Sequence, residues 1–380
     1  MRIVCAIDSF KGSLSSRRAA ELAGEEAGRI MPGSSCVGLA VADGGEGTVE
    51  AAVMASGGKL QHATVQDPLG RPTDASYGVL PDGTALVEMA AASGLTLLSR
   101  GELDPLRASS YGTGQLIADA LDHGARTIAI ALGGSATNDA GTGALRALGV
   151  RFLDASGNPL RVDGENLGRI AEVDANEIDP RVAQTDFVTL CDVDNPLVGS
   201  DGATMTFGRQ KGASDVNLRI LERGMESYLG VLRRRSIVGG EMPGDGAAGG
   251  MGLAARAFLH ARRKSGADWV LDAVGFDRAL KGADLCITGE GHADGQSVDG
   301  KLVSRIARRC KGAGVPCVAI VGGMDESAVG LKTCGVDAIY PSVIDCCDRA
   351  AAMRNAERNF RLAVERVLVA VKIGRRIGAA

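Results

Sequence analysis

Aromatic side chains are scarce in this chain: one Trp, four Tyr and seven Phe make up 3% of 380 residues. Histidine is rarer still, at four. His62, His123 and His260 fall on predicted helix ends or loops, and only His292 lies in a glycine-rich turn, so a His-dependent nucleophilic mechanism has little support. Net charge is only −4, which leaves no global field to draw nucleic acid or an acidic membrane surface. No apolar run approaches membrane-spanning length. MRIVCAIDSF enters a strand pattern at once, without the apolar core and cleavage site of a signal peptide. The nine cysteines are odd in number and include no CxxC. Cys5, Cys36, Cys191, Cys286 and Cys317 sit inside apolar runs, where Cys acts as a small hydrophobe. The expected compartment is a reducing cytoplasm. Adjacent Cys346 and Cys347 read as an oxidation liability.

Glycine, by contrast, is abundant, at 54 residues, and it clusters at the ends of apolar runs. That placement implies tight turns and close backbone approaches rather than disorder. RIVCAI (residues 2–7) reads as a strand ending at Asp8, followed by a polar loop with Ser9 and Lys11 and a helix from Ser15 to about Ile30, capped by Ser13 or Ser15. Residues 36–42 repeat the pattern, ending at Asp43 before GGEGT and a helix over 49–55. From Thr64 to Met89 the texture turns antiparallel, with Pro81-Asp82-Gly83 as a hairpin signal. A helix over 115–123 leads into the strand 128–132, which breaks at Gly133-Gly134 before Ser135, Thr137, Asn138 and Asp139 and a further helix.

Residues 151–180 are polar and turn-rich, with little sign of a core element. A strand over 186–191 ends in Asp192-Val193-Asp194-Asn195-Pro196, and the proline turns the chain out of the sheet. A helix over 216–232, a glycine-dense loop over 239–252 and a helix over 253–260 follow. The strand 284–287 ends at Thr288-Gly289-Glu290-Gly291; strands over 315–321 and 336–340 alternate with helices at 304–311 and near 327–333. A C-terminal helix spans about 347–372. The basic clusters 233–235, 262–264 and 308–309 read as solvated helix faces.

The expected fold is α/β: a doubly wound, Rossmann-like parallel-sheet domain built from residues 1–65 and 280–380, with a mixed α/β domain, 66–279, inserted between them. Strands repeatedly end in an ionisable or hydroxyl residue beside glycine: Asp8, Asp43, Asp192, and Thr288 with Glu290. Ligands of open α/β sheets bind beyond the carboxyl ends of strands, so these residues converge on one crevice. A single Asp there is more often a turn former or cap. The strand–glycine–helix turn at 133–138 suits an anion, although Asn138 or Asp139 as a plain helix cap explains it equally well. No GxGxxG follows a strand, which sets aside a dinucleotide-dependent dehydrogenase. GQSVDGKL (295–302) has P-loop spacing but ends in Leu where Mg²⁺ needs Ser or Thr. Carboxylates, cations and glycine turns suit phosphoryl transfer.

DSFKGSLS (8–15), ADGGEGT (42–48), PLGRP (68–72), VEMAAASGL (87–95), YGTGQLI (111–117), GGSATNDAG (133–141), LGVRFLDASG (148–157), CDVDNPL (191–197), FGRQKGA (207–213) and TGEGHADGQSVDGK (288–301) resemble the bacterial type I glycerate kinases nearly end to end. The resemblance implies a two-domain enzyme that uses ATP and Mg²⁺ to phosphorylate D-glycerate, usually to 2-phosphoglycerate. His292 departs from the Arg usual at that point of the family.

Within that frame Gly133, Gly134, Ser135, Thr137 and Asn138 are expected to cradle phosphate. Ser9, Gly289, Gly291 and Lys301 complete the substrate or phosphate set. Asp192 is the candidate base and Asp8 and Lys11 its catalytic companions, Lys11 facing the transferred phosphoryl or the glycerate carboxylate, with Arg71 or Lys211 able to serve instead. Asp43, Glu46, Asp194, Glu290 and Asp294 are the candidate Mg²⁺ ligands; a plain turn at Asp194 and a helix-dipole role for Glu46 are the simpler readings. The site is expected in the inter-domain cleft. Alternatives are a kinase of another small hydroxy acid or sugar acid, 3-phosphoglycerate as product, or a non-catalytic sensor. Small molecules are the expected partners, without nucleic acid or membrane, and a homodimer is compatible with the sequence.

Overall fold

The first apolar run becomes β1 (Arg2–Ile7) in the computed structural model, which describes residues 1–298 and 301–378. In chain order β2 (Ser35–Ala40), β3 (Lys59–Gln66), β4 (Pro72–Val79), β5 (Thr84–Glu88) and β6 (Thr127–Ala131) follow. Next come β7 (Arg151–Leu153), β8 (Glu172–Asp174), β9 (Asp186–Leu190) and β10 (Arg262–Lys264). The last strands are β11 (Leu285–Ala293), β12 (Cys317–Met324) and β13 (Ala338–Pro341). The chain divides into two units: Met1–Asp43, Glu50–Ser56 and Ala267–Ala380 form unit 1, and Gly44–Val49 with Gly57–Gly266 form unit 2.

Unit 1 holds a five-stranded sheet in the order β13-β12-β11-β1-β2, every pair parallel. Because successive strand residues face opposite ways, Ile3, Cys5 and Ile7 pack with the helices Ser16–Ile30 and Ala356–Gly378, while Val4 and Ala6 pack with the helix Leu302–Ala313 on the other side. Both faces of β1 are therefore covered, which explains a strand without polar alternation. Ser15 caps the first of these helices by accepting the Arg18 N–H.

Unit 2 holds a six-stranded mixed sheet, β10-β9-β6-β5-β4-β3. The hairpin at Pro81-Asp82-Gly83 joins antiparallel β4 and β5, while β5, β6, β9 and β10 run parallel. The unit boundaries lie away from 65/66 and 279/280 for two reasons. β3 pairs with β4 inside unit 2, and the helix Gly266–Ala273 buries Val270 and Leu271 in the core of unit 1.

Four local expectations change. Residues 151–180 do contribute to a core: β7 and β8 pair, and Phe152, Leu160, Val162, Leu167 and Ile170 are buried, at spacings that match neither a helical nor a strand period. Arg262-Arg263-Lys264 is the exposed edge strand β10 rather than a helix face. Arg309 is not simply solvated, since it donates to Asp268, Asp272 and Asp277. The C-terminal helix is two, Arg349–Arg354 and Ala356–Gly378, the first starting at the Asp348 cap. Among the described residues, no helix is long and apolar enough to cross a membrane.

Candidate active site

In unit 2 two parallel strands deliver polar segments to one end of the sheet, and a third segment packs against them. Ala131 and Leu190 are register partners at the ends of β6 and β9, and the Leu132 N–H donates to the Leu190 carbonyl at 3.3 Å. GGSATND and CDVDN thus leave adjacent strand ends. GGEGT packs against the first of them: the Gly133 N–H donates to the Gly44 carbonyl at 3.3 Å, and a Cβ on Gly133 would stand 2.5 Å from the Gly45 Cα. Only glycine permits that approach. Asp192 is half-buried at this end.

The anion position of each glycine turn is taken by a carboxylate of the protein itself. Asp139, fully buried, accepts from the Ser110 N–H and hydroxyl and from the N–H groups of Gly141 and Gly143. Asp139 thus occupies the N–H groups of Gly141 and Gly143 at the start of the short helix Thr142–Ala147. Glu88, at the end of β5, likewise accepts the Val49 N–H at 2.6 Å. Asp139 is one of the two caps that the sequence offers for its turn, whereas Glu88 does not stand out there, because it lies far from its turn in the chain. What GGSATND still offers a ligand is side-chain chemistry. Thr137 Oγ1 and Asn138 Oδ1 are buried without a hydrogen-bond partner, while Asn138 Nδ2 is held by Thr204 at 3.0 Å.

Burial pushes Glu88 up to about 7, against the opposing N–H groups of Val49, Gly47 and Thr48. A carboxyl lifted from 4.5 to about 7 binds its proton in the fold where the unfolded chain has lost it. Its contribution, about 3 kcal/mol, is therefore complete below pH 4.5 and is lost as pH rises to about 7. Melting curves of Glu88→Gln across that window are expected to lack this decline; a wild-type slope in the variant would place the titration elsewhere.

Three expected ligand residues in unit 2 are otherwise employed, and a fourth is exposed. Lys211 is buried, and its Nζ donates to Ser135 Oγ at 3.0 Å and to the Thr137 carbonyl at 2.6 Å. It braces the GGSATND loop from inside rather than offering its charge to solvent. Arg71 pairs with Asp67 at 2.5 Å and Glu102 at 2.6 Å, closing the PLGRP turn. Arg71→Ala is accordingly expected to lower the melting temperature slightly and leave both KM values unchanged; a raised KM would return Arg71 to the site. Asp194 is exposed and bound to Arg263 at 2.6 Å, which favours the turn reading over a metal ligand. Glu46 is exposed beside the start of the helix Thr48–Ser56, in keeping with a helix-dipole role.

Unit 1 gathers a second set. The Asp8 N–H donates to the Gly289 carbonyl at 2.9 Å and the Ser9 N–H donates to Asp8 Oδ1 at 2.7 Å, which joins the end of β1 to β11. TGEG is not a loop after a strand, because β11 runs through it to Ala293. Gly289 is required there for packing, since a Cβ would meet the Ile320 carbonyl at 1.9 Å; Gly291 and exposed His292 lie in the same strand. Burial and then the neighbouring Asp43 carboxylate hold Asp8 well above the usual range, with Ser9 and the Lys11 cation opposing. Burial raises Glu290 also, and Asp294 and Asp43 add to it, against Ser297 and Lys301. Asp294 stays low despite burial because Lys301, 3.5 Å away, and Ser297 favour its charged form. Asp299 and Gly300 of the GQSVDGKL stretch lie outside the described residues.

These carboxylates fit a divalent cation. Asp8, Asp43 and Glu290 repel one another, and Glu290 Oε1 is buried without a hydrogen-bond partner. A bound cation would relieve both costs.

Known proteins resemble this chain over its length. The model of the glycerate kinase family matches residues 3–372. Glycerate 2-kinase of Escherichia coli (strain K12) is 40% identical over 378 residues, 99% of each chain. Glycerate kinase of Bacillus subtilis (strain 168) is 39% identical over 377 residues, again 99% of each. The crystal structure of a Salmonella typhimurium LT2 protein assigned as a glycerate kinase 2 superposes with a TM-score of 0.82, at 39% identity and 99% coverage of both chains.

Proposed function

The chain belongs to the glycerate kinase family and is a kinase, and from that premise we propose that it transfers the γ-phosphoryl group of ATP to D-glycerate, giving ADP and 2-phosphoglycerate. The observation that carries the reading is the meeting of GGEGT, GGSATND and CDVDN at one end of the unit 2 sheet, with Thr137 Oγ1 and Asn138 Oδ1 left for a ligand. In phosphoryl transfer the protein positions the reactants and stabilises charge, and one carboxylate takes the hydroxyl proton. Asp192 takes that proton from glycerate. Ser135, Thr137 and Asn138 orient bound oxygen atoms through side-chain hydrogen bonds. Lys11, exposed beside Asp8, offsets the negative charge of the substrates. Asp43, Glu290 and Asp294 are the side chains that would hold Mg²⁺, which when bound neutralises charge on phosphate oxygens. The proposal calls on residues from both units.

A coupled assay of ADP release over a panel of hydroxy acids and sugar acids tests it. D-glycerate is expected to give the highest kcat/KM. A sugar acid surpassing it would redirect the substrate, and absence of glycerate-dependent ADP would favour a sensor. Phosphorus NMR separates the regiochemistry: a phosphate on the secondary carbon couples to one proton and appears as a doublet, whereas the 3-phospho isomer gives a triplet.

A further inference from the structure

Three of the nine cysteines meet in the core of unit 1, away from the strand-end carboxylates. Cys286 of β11 and Cys317 of β12 are register partners on neighbouring parallel strands, and Cys310 comes down onto them from the helix Leu302–Ala313. All three are free thiols with no solvent exposure, and their sulfur atoms lie within 4.8 Å of one another. Ile306, Ala307, Ala319 and Leu331 belong to the same apolar cluster, and the Asp337 carboxylate borders it, accepting the Cys317 N–H at 2.7 Å. An isolated Cys in such a core needs no explanation beyond its size. Three sulfurs converging from three separate elements form a ligand set.

We infer that Cys286, Cys310 and Cys317 form a binding site for one soft, monovalent d10 metal ion, of which Cu(I) is the representative. The donor set decides the class: thiolate sulfur selects soft ions. Zinc prefers four ligands in a tetrahedron, and among the described residues no His, Asp, Glu or fourth Cys completes the group. A three-coordinate ion needs no fourth ligand. With arms of about 2.3 Å, sulfur atoms around a trigonal centre stand about 4 Å apart, inside the observed 4.8 Å limit. Each sulfur that binds as thiolate releases its proton to solvent, and the copper stays monovalent throughout. The site is separate from the proposed phosphoryl-transfer residues and does not depend on that function.

The test uses the full-length chain with Cys346→Ser and Cys347→Ser, because those two thiols are exposed and would bind copper on their own. Under anaerobic conditions the protein competes for copper against the coloured cuprous bicinchoninate complex, and a second preparation is purified from cells grown with added copper so that a closed core is loaded during folding. One copper per chain is expected, with a rise in melting temperature, and X-ray absorption is expected to give a shell of three sulfur atoms. Adding Cys310→Ala or Cys317→Ala should abolish that equivalent, while Cys5→Ala/Cys36→Ala should retain it. Lack of copper in both preparations, retention of the equivalent in the triad variants, or a two-sulfur or nitrogen–oxygen shell overturns the site. Should a triad variant fail to fold, the absorption measurement on the parent still decides. Tight Co(II) binding with intense tetrahedral thiolate bands would overturn the choice of a monovalent ion.

Discussion

Asp192→Asn is expected to lower kcat by a factor of about 10² to 10⁴, the range that removal of a general base commonly produces, with little change in the KM for ATP. The side chain follows β9 directly, and the neighbouring Cys191 N–H is fixed to the Lys264 carbonyl at 2.9 Å. The carboxylate is therefore carried by a rigid strand end beside GGSATND, where a hydroxyl awaiting deprotonation would have to be oriented. Asparagine keeps the size and the hydrogen-bonding oxygen but cannot take the proton. A thermal melt beside the assay separates loss of chemistry from loss of fold. Near wild-type kcat in a folded variant would remove Asp192 from the role and direct attention to Asp8, whose carboxyl is held high by burial and by Asp43.

Lys211→Met is expected to reduce kcat at least about 10²-fold while KM for D-glycerate rises less. The change removes the ammonium that joins Ser135 to the Thr137 carbonyl, so the loop loses its internal brace and both oxygen atoms lose a charged donor. A purely structural role would give the same loss of stability, so the pH profile is the discriminating measurement. Burial lowers Lys211 to about 8, with Asp139 opposing. Activity that needs the ammonium then falls as pH passes about 8. The same titration acts on stability in the other direction: between about 8 and 10.5 the unfolded chain binds the proton that the fold has given up, so stability from this group rises with pH. An alkaline loss of kcat without a matching fall in melting temperature is the expected signature. Lys211→Arg, charged at every accessible pH, should carry that limb to higher pH if the larger head is accommodated. An unchanged alkaline limb in Lys211→Arg would exclude Lys211 as its source.

Much of the architecture was legible because strands buried on both faces leave unbroken apolar runs. RIVCAI and TIAIA are examples, and each is followed by polar residues where the sheet ends. Legibility failed where burial followed no period, as with Phe152, Leu160, Val162, Leu167 and Ile170. It failed again at TGEG, where two glycines in four residues imitate a loop although β12 packs too closely to allow a side chain at Gly289. Charge was the least readable property. Lys211 and Arg71 look alike as cations in the sequence, yet one is sealed inside a loop and the other clasps an exposed turn. Glu88 shows the same limit for acids: that the turn before Val49 receives a carboxylate of its own chain depends on a residue remote in sequence. The resemblance to the glycerate kinases rested on motif blocks spanning the chain, and so it was insensitive to these local errors.

The place of β1 bears on the order in which the chain can fold. It is an interior strand, hydrogen-bonded to β2 on one side and to β11 on the other, and the Asp284 N–H that donates to the Arg2 carbonyl at 2.8 Å lies 282 residues along the sequence from it. During synthesis the first strand made must wait, one edge unpaired, until all of unit 2 has left the ribosome. Unit 2 is almost continuous from Gly57 to Gly266 and can be complete by then. The nascent chain thus carries an apolar, two-faced strand with an open edge for most of its elongation, a period in which chaperone engagement or mispairing is most to be expected.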